Sequence, residues 1–142
     1  MNEMAGGNPA SGRTVLIVED AETCATTLEV AFLGIPGVQV IVAPSAQEAL
    51  RLMHDERRSI GALVTDLNLP RMDGFELIER VRGDRRLARL PIIVVSGDTD
   101  PHTPERTLRL GADAYFGKPY SPGEVRRKLE QLLDAQRTPH VP

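Results

Sequence analysis

The chain has 142 residues, 41% hydrophobic and 26% charged, with a net charge of −3 and no Trp. This is the size and make-up of one soluble domain, long enough to bury about two-thirds of its unfolded surface. Neither the charge balance nor the 4% aromatic content suggests a nucleic-acid or anionic-membrane partner. A single cysteine, Cys24, rules out an internal disulfide and reads as a buried, inert thiol on a helix. No apolar run approaches the roughly 18 residues of a membrane span, and no secretory leader is visible, so the cytoplasm is the expected compartment. His54, His102 and His140 are scattered without metal-ligand spacing and read as surface or locally satisfied residues.

Residues 1–13 are rich in Gly, Asn, Pro and Ser and read as a disordered lead-in. Thr14 to Val18 is a continuous β-branched apolar run, hence a buried strand, ending on Glu19-Asp20. From Glu22 the period becomes helical, with Cys24, Leu28, Ala31, Phe32 and Ile35 on one face and Pro36-Gly37 as the stop. Val38 to Ala43 is a second strand. Ser45 and Glu48 form a capping box for a helix with Ala46, Ala49, Leu50 and Met53 as its stripe.

Ile60 to Val64 is a third strand, too short for a helix, and it delivers Asp66 into a loop with Asn68, Pro70 and Gly74. Asp73 caps a helix carrying Phe75, Ile78 and Val81. Around its end lies a basic run, Arg80, Arg82, Arg85, Arg86 and Arg89, which reads as a solvated helix terminus. Leu90 to Val95 is a fourth strand, ending on Ser96-Gly97. Asp100-Pro101 and Thr103-Pro104 are competing starts for the next helix, each with Pro at the first helical position. Ala114 to Phe116 is a brief fifth strand before Gly117-Lys118-Pro119. The last helix opens at Ser121-Pro122 with Glu124, and Val125, Leu129, Leu132 and Leu133 face inward. Residues 14–136 therefore form the domain, and 137–142 a short tail.

Five β-α repeats with short strands apolar on both faces predict a parallel sheet covered by helices on each side. Right-handed crossovers make it doubly wound. Chemistry in such a fold lies beyond the carboxyl ends of the strands. There the sequence collects Glu19 and Asp20, Asp66, Ser96 and Lys118. Polar loops are ordinary, but these residue types at one end of one sheet are a constellation.

The chain resembles the receiver domain of two-component response regulators. The resemblance rests on Val15-Leu-Ile-Val-Glu19-Asp20, Val64-Thr-Asp66-Leu-Asn68-Leu-Pro70 with Met72-Asp-Gly74, Val94-Val-Ser96-Gly97, and Gly111-Ala-Asp-Ala-Tyr115-Phe-Gly-Lys118-Pro119. It implies a flavodoxin-like (βα)5 fold with strand order 2-1-3-4-5. It implies that Asp66 accepts a phosphoryl group as an acyl phosphate. Glu19, Asp20, Asp66 and the backbone carbonyl of Asn68 would hold Mg²⁺ or Mn²⁺, which relieves a repulsion of about 4 kcal/mol per carboxylate pair at about 4 Å. Lys118 would balance phosphoryl charge, with a cis Lys118-Pro119 bond aiming it inward. Ser96 and Tyr115 would form the switch, while Asn68 and Asp98 would tune hydrolysis toward a short-lived phospho-state.

The phosphodonor implied is a histidine kinase or a histidine phosphotransfer protein. The output implied is protein contact through the fourth helix, fifth strand and fifth helix, with a phosphorylation-linked homodimer as one form. No DNA-binding or enzymatic segment is expected after Gln136, and no membrane or nucleic-acid contact. The chain would be no enzyme beyond catalysing its own phosphorylation and dephosphorylation. Two alternatives stand beside this reading. One is a degenerate receiver acting as a phosphorylation-independent interaction module. The other is a haloacid-dehalogenase-type phosphatase, disfavoured by Asn68 where that class has a second acid.

Overall fold

The computed structural model describes residues 13–137. The expected lead-in over 1–13 and tail over 137–142 lie outside the described residues, apart from Arg13 and the backbone of Arg137, as does His140.

Five strands and five helices alternate: β1 (Thr14–Val18), α1 (Glu22–Phe32), β2 (Gln39–Ala43), α2 (Ala46–His54), β3 (Ile60–Thr65), α3 (Gly74–Gly83), β4 (Ile92–Ser96), α4 (Thr103–Leu110), β5 (Ala114–Gly117) and α5 (Pro122–Arg137). The strands form one sheet in the order β2-β1-β3-β4-β5, and every pairing is parallel. The doubly wound flavodoxin-like fold expected from the sequence is the one present.

Alternation along the strands splits the core into two layers. Leu16, Val18, Leu63, Ile92 and Val94 pack with Ala49, Leu52, Met53, Leu77, Ile78 and Val81 of α2 and α3. Val15, Ile17, Ala62, Val64, Ile93 and Val95 pack with Leu28, Phe32, Val125, Leu129 and Leu133 of α1 and α5. The central strands β1 and β4 are buried throughout. The edge strands differ from expectation. β2 has exposed and half-buried positions and β5 is nowhere fully buried, because each has a neighbour on one side only.

Local details correct the sequence pattern in four places. First, α1 stops at Phe32, and its buried face is Ala25, Leu28 and Phe32, so Cys24 is half-buried rather than buried. Ile35 is buried outside the helix, before Pro36, where helical backbone is disfavoured. Second, the capping box of α2 is half formed. Ser45 Oγ accepts from Glu48 N at 3.2 Å, but the Glu48 carboxylate pairs with Arg51 instead. Third, of the two competing starts for α4, Thr103–Pro104 wins, but Thr103 rather than Pro104 is the first helical residue. Asp100 is used in a turn, its carbonyl accepting from Thr103 N at 3.1 Å.

The fourth correction concerns the arginine run. Arg82 is not a solvated helix end. Its guanidinium donates to Gly111 O from Nε at 3.0 Å and from Nη2 at 2.8 Å, and from Nη1 to Ala88 O at 3.1 Å and Leu87 O at 3.3 Å. It also meets Asp113 at 3.3 Å. Arg86 Nη2 likewise donates to Met53 O at 3.0 Å. Arg80 pairs with Glu76 on its own helix, and Arg85 and Arg89 face solvent.

Candidate functional site

Backbone pairing carries the acidic residues to a common edge. The ladder runs one step past the strands: Asp66 N donates to Val18 O at 3.0 Å, and Glu19 N donates to Ala43 O at 3.1 Å. Both carboxylates are thus held by the sheet rather than by mobile loops. Glu19 is 3% exposed and Asp66 4%, which makes their charges matter.

The Asp66 carboxylate is fixed on both oxygens. Oδ1 accepts from Leu67 N at 2.6 Å and from Asn68 N at 3.2 Å. Oδ2 accepts from Lys118 Nζ at 2.9 Å. The Lys118 ammonium also donates to Glu19 Oε1 at 3.3 Å, and Glu19 Oε2 accepts from Ala21 N at 3.2 Å. One cation therefore serves two buried carboxylates that lie 52 and 99 residues away in sequence.

The electrostatics follow from burial. Burial, and then the charge of Asp66, raise the Glu19 carboxyl above its ordinary 4.5, against the Ala21 N–H and Lys118. Burial opposes the charge of Lys118, but the hydrogen bond and charge of Asp66, then Glu19, outweigh it and push its pKa up. The ammonium is thus held firmly charged while Glu19 is the strained partner.

Lys118 is delivered by β5. Its backbone N donates to Ser96 O at 2.7 Å, and the Lys118–Pro119 peptide is cis. Ser96 is fully buried at the end of β4. Tyr115 is half-buried and pairs in register with Val94, so Ser96, two residues beyond Val94, shares its face of the sheet. A Cβ built at Gly117, the partner of Ser96 in register, would lie 3.8 Å from Tyr115 Cε1, so the ring extends toward the site. Asp20 and Asn68 are exposed. The described residues hold no ready-made cluster of three acidic, His or Cys side chains fit for a metal. Glu19, Asp66 and Lys118 are brought together; Asp20 stands at the rim. Asp98 has both carboxylate oxygens engaged, by Asp100 N at 2.9 Å and Thr103 Oγ1 at 3.1 Å.

Two residues of the quoted motifs support the site in ways that the sequence did not indicate. Thr65, fully buried, donates from Oγ1 to Asp66 O at 2.7 Å. Gly74, the first residue of α3, lies so close to the loop after β3 that a Cβ there would overlap Asp66 O and Leu67 Cα. Its N–H donates to Leu67 O at 2.9 Å. A glycine nine residues after the end of β3 was visible in sequence; that it seats α3 against this loop was not.

Residues 15–130 match the family model described as the response regulator receiver domain. The chain is a receiver domain of the two-component response regulator family. It is 36% identical over 124 residues to the transcriptional regulatory protein GltR of Pseudomonas aeruginosa, covering 87% of this chain and 50% of that protein. It is 29% identical to a chemotaxis protein CheY homolog of Campylobacter jejuni, covering 84% of this chain and 91% of the relative. The crystal structure of a CheY-like receiver domain protein from Methanospirillum hungatei superposes with a TM-score of 0.77 at 28% identity, covering 88% of this chain and 96% of that one. The chain thus spans about half the length of GltR and nearly all of the CheY homolog. No helix among the described residues is long and apolar enough to cross a membrane.

Proposed function

We propose that this receiver is a phosphorylation-controlled switch in which Asp66 takes a phosphoryl group from a histidine kinase or a histidine phosphotransfer protein. The observation that carries the reading is the buried Asp66 carboxylate, with two backbone N–H groups on one oxygen and the Lys118 ammonium on the other. A carboxylate held this way is pre-aimed, and a cation already stands where phosphoryl charge would arrive.

In the transfer, an Asp66 oxygen attacks phosphorus and the bond from phosphorus to the donor's imidazole nitrogen breaks. An acyl phosphate forms, and the departing imidazole keeps the electron pair and takes up a proton. Lys118 then follows the new oxygens, which carry more negative charge than the carboxylate they replace. Ser96, two residues past the strand position that pairs with Tyr115, offers its hydroxyl to the phosphoryl group. Tyr115 turns toward the space this opens, and the face formed by α4, β5 and α5 changes for a downstream protein or a second copy of the chain. The shift between states is only as large as the differential affinity of the phosphoryl group for them. Asn68, exposed beside Asp66, would orient a hydrolytic water. In this reading the chain turns over no substrate other than its own phosphoryl group.

The donor atoms suit a hard divalent cation, since the candidates are oxygens alone. Glu19, Asp66 and, drawn in from the rim, Asp20 would hold Mg²⁺ or Mn²⁺ with the Asn68 carbonyl. The Glu19 carboxyl is raised first by burial and then by the neighbouring Asp66 charge, and such an ion would offset both. When bound it would neutralise negative charge on the carboxylates and on the incoming phosphoryl group.

The test is incubation with acetyl phosphate and Mg²⁺ followed by intact-mass measurement. Wild type is expected to gain one phosphoryl group and Asp66→Asn none. An adduct on Asp66→Asn would move the acceptor elsewhere. No adduct on either protein would favour a phosphorylation-independent interaction module.

A further inference from the structure

The loop between β4 and α4 is built as a staircase of hydrogen bonds. Asp98 N donates to Ser96 Oγ at 3.0 Å. Asp98 Oδ1 accepts from Asp100 N at 2.9 Å, and Asp100 Oδ1 accepts from His102 N at 2.9 Å. Asp98 Oδ2 accepts from Thr103 Oγ1 at 3.1 Å, and Thr103, at the first position of α4, is 3% exposed. His102, the N-cap, makes no side-chain cap bond. The first turn of α4 is therefore secured from outside the helix, by Asp98.

The other end of α4 is anchored differently. Gly111, in left-handed backbone at φ 119°, accepts through its carbonyl from Arg82 Nε and Nη2. Ala112 N donates to Thr107 O at 3.0 Å, and Asp113 N to Ile92 O at 2.7 Å. Between the two ends, Arg106 stacks on the Phe75 ring of α3 at 3.8 Å. The C-terminal end is thus tied to α3 and the sheet, while the N-terminal end hangs on a chain that begins at the Ser96 hydroxyl.

We propose that Asp98 is a positioning residue that couples the Ser96 hydroxyl to the first turn of α4 through Thr103, so that turning Ser96 moves that end of the helix about its anchored C-terminal end. This rests on the reading of Ser96 as the hydroxyl that follows a phosphoryl group on Asp66. Ser96 Oγ holds the Asp98 N–H in its present orientation. When the hydroxyl swings toward Asp66, that N–H loses its acceptor and residue 98 is freed to shift. Because both oxygens of Asp98 are bonded within the loop, the shift reaches Thr103 directly.

Amide hydrogen exchange on the full chain tests this in two arms. Without any phosphodonor, Ser96→Ala and Thr103→Val should each raise exchange at the Thr103 and Arg106 amides by about five-fold, the factor expected for one lost hydrogen bond. Gly111, Ala112 and Asp113 should stay at wild-type rates, and Thr103→Ser should restore them at Thr103 and Arg106. With acetyl phosphate and Mg²⁺, phosphorylated wild type should show the same rise. Thr103→Val should gain the phosphoryl group, by mass, with no further change in α4. Unchanged exchange at Thr103 and Arg106 in Ser96→Ala, or a full phosphorylation response in Thr103→Val, overturns the proposal. If wild type takes no phosphoryl group, the reading of Asp66 fails, while the first arm still decides the relay.

Discussion

The two ends of the sheet handle charge in opposite ways. At the carboxyl end, Glu19 and Asp66 are almost fully buried and share a single ammonium, Lys118. At the amino end and on the adjoining helices, Arg57 with Asp55, Arg51 with Glu48 and His54 with Asp84 form pairs of near neighbours or across facing loops, mostly in solvent. The first end has more negative charge than it can balance and little water to screen it. The second carries exposed pairs that water screens. Buried pairs are costly to break and exposed ones contribute little. Function is expected where charge is unbalanced and water is scarce.

The largest expected effect comes from breaking the scarce end. Lys118→Ala leaves two buried carboxylates facing each other. It should lower stability by about 2 kcal/mol at pH 7, discounted from the fully buried case for the partial exposure of the lysine. Urea unfolding without metal measures it. Because the folded-state pKa of Lys118 is raised, its contribution is fully present below the ordinary 10.5 and is lost as pH rises past the folded value. Wild type should therefore lose this increment only in strong alkali, and the variant should have none to lose. The cooperative transition should survive, since the core layers do not involve the lysine. Arg82→Ala is next. It strips the donors from the carbonyls of Gly111, Leu87 and Ala88, at a side chain that is 20% exposed. A loss of about 1–2 kcal/mol is expected. A cost as small as that of an exposed arginine would return Arg82 to the solvated set.

Arg82 also shows where sequence reading stops. The five strands were legible because each is a short apolar run bounded by turn residues. The site was legible because its residues sit one step beyond those runs. In sequence Arg82 is one of five arginines near a helix end, and nothing local separates it from Arg85. What separates them is Gly111 and Asp113, which a different loop brings to α3 from about thirty residues away. The same holds for Lys118, whose partners at positions 19 and 66 only the sheet order makes neighbours. Cys24 and the half-formed capping box failed for a local reason. For the helix phase, Cys24 and Ala25 were close solutions and packing chose Ala25; for the Glu48 carboxylate, the charged Arg51 one turn on outcompeted the Ser45 N–H. Spacing names candidates along one element; contacts between elements decide which of them are used.

Two smaller effects sharpen the contrast between the ends. Glu19 has a folded-state pKa raised above 4.5 by burial and by Asp66. Its contribution to stability is full below 4.5 and is lost as pH rises through that raised value. Above that raised value and without metal, ionised Glu19 weakens the fold, and Glu19→Gln should stabilise it there by about 1 kcal/mol. The gain should shrink toward pH 4.5, and adding Mg²⁺ should stabilise wild type more than the variant. A variant less stable than wild type above that value would mean that the Glu19 bonds to Lys118 and Ala21 outweigh its desolvation. Arg57→Ala probes the opposite end. Arg57 bonds Asp55 through its side chain at 3.1 Å and 3.2 Å, a geometry as good as that of Lys118 and Glu19. Its side chain is 91% exposed, so water can replace each bond as it breaks. No measurable change in unfolding midpoint is expected at any salt concentration. A clear loss would mean that pairing geometry, rather than burial, sets what a charge contributes in this domain.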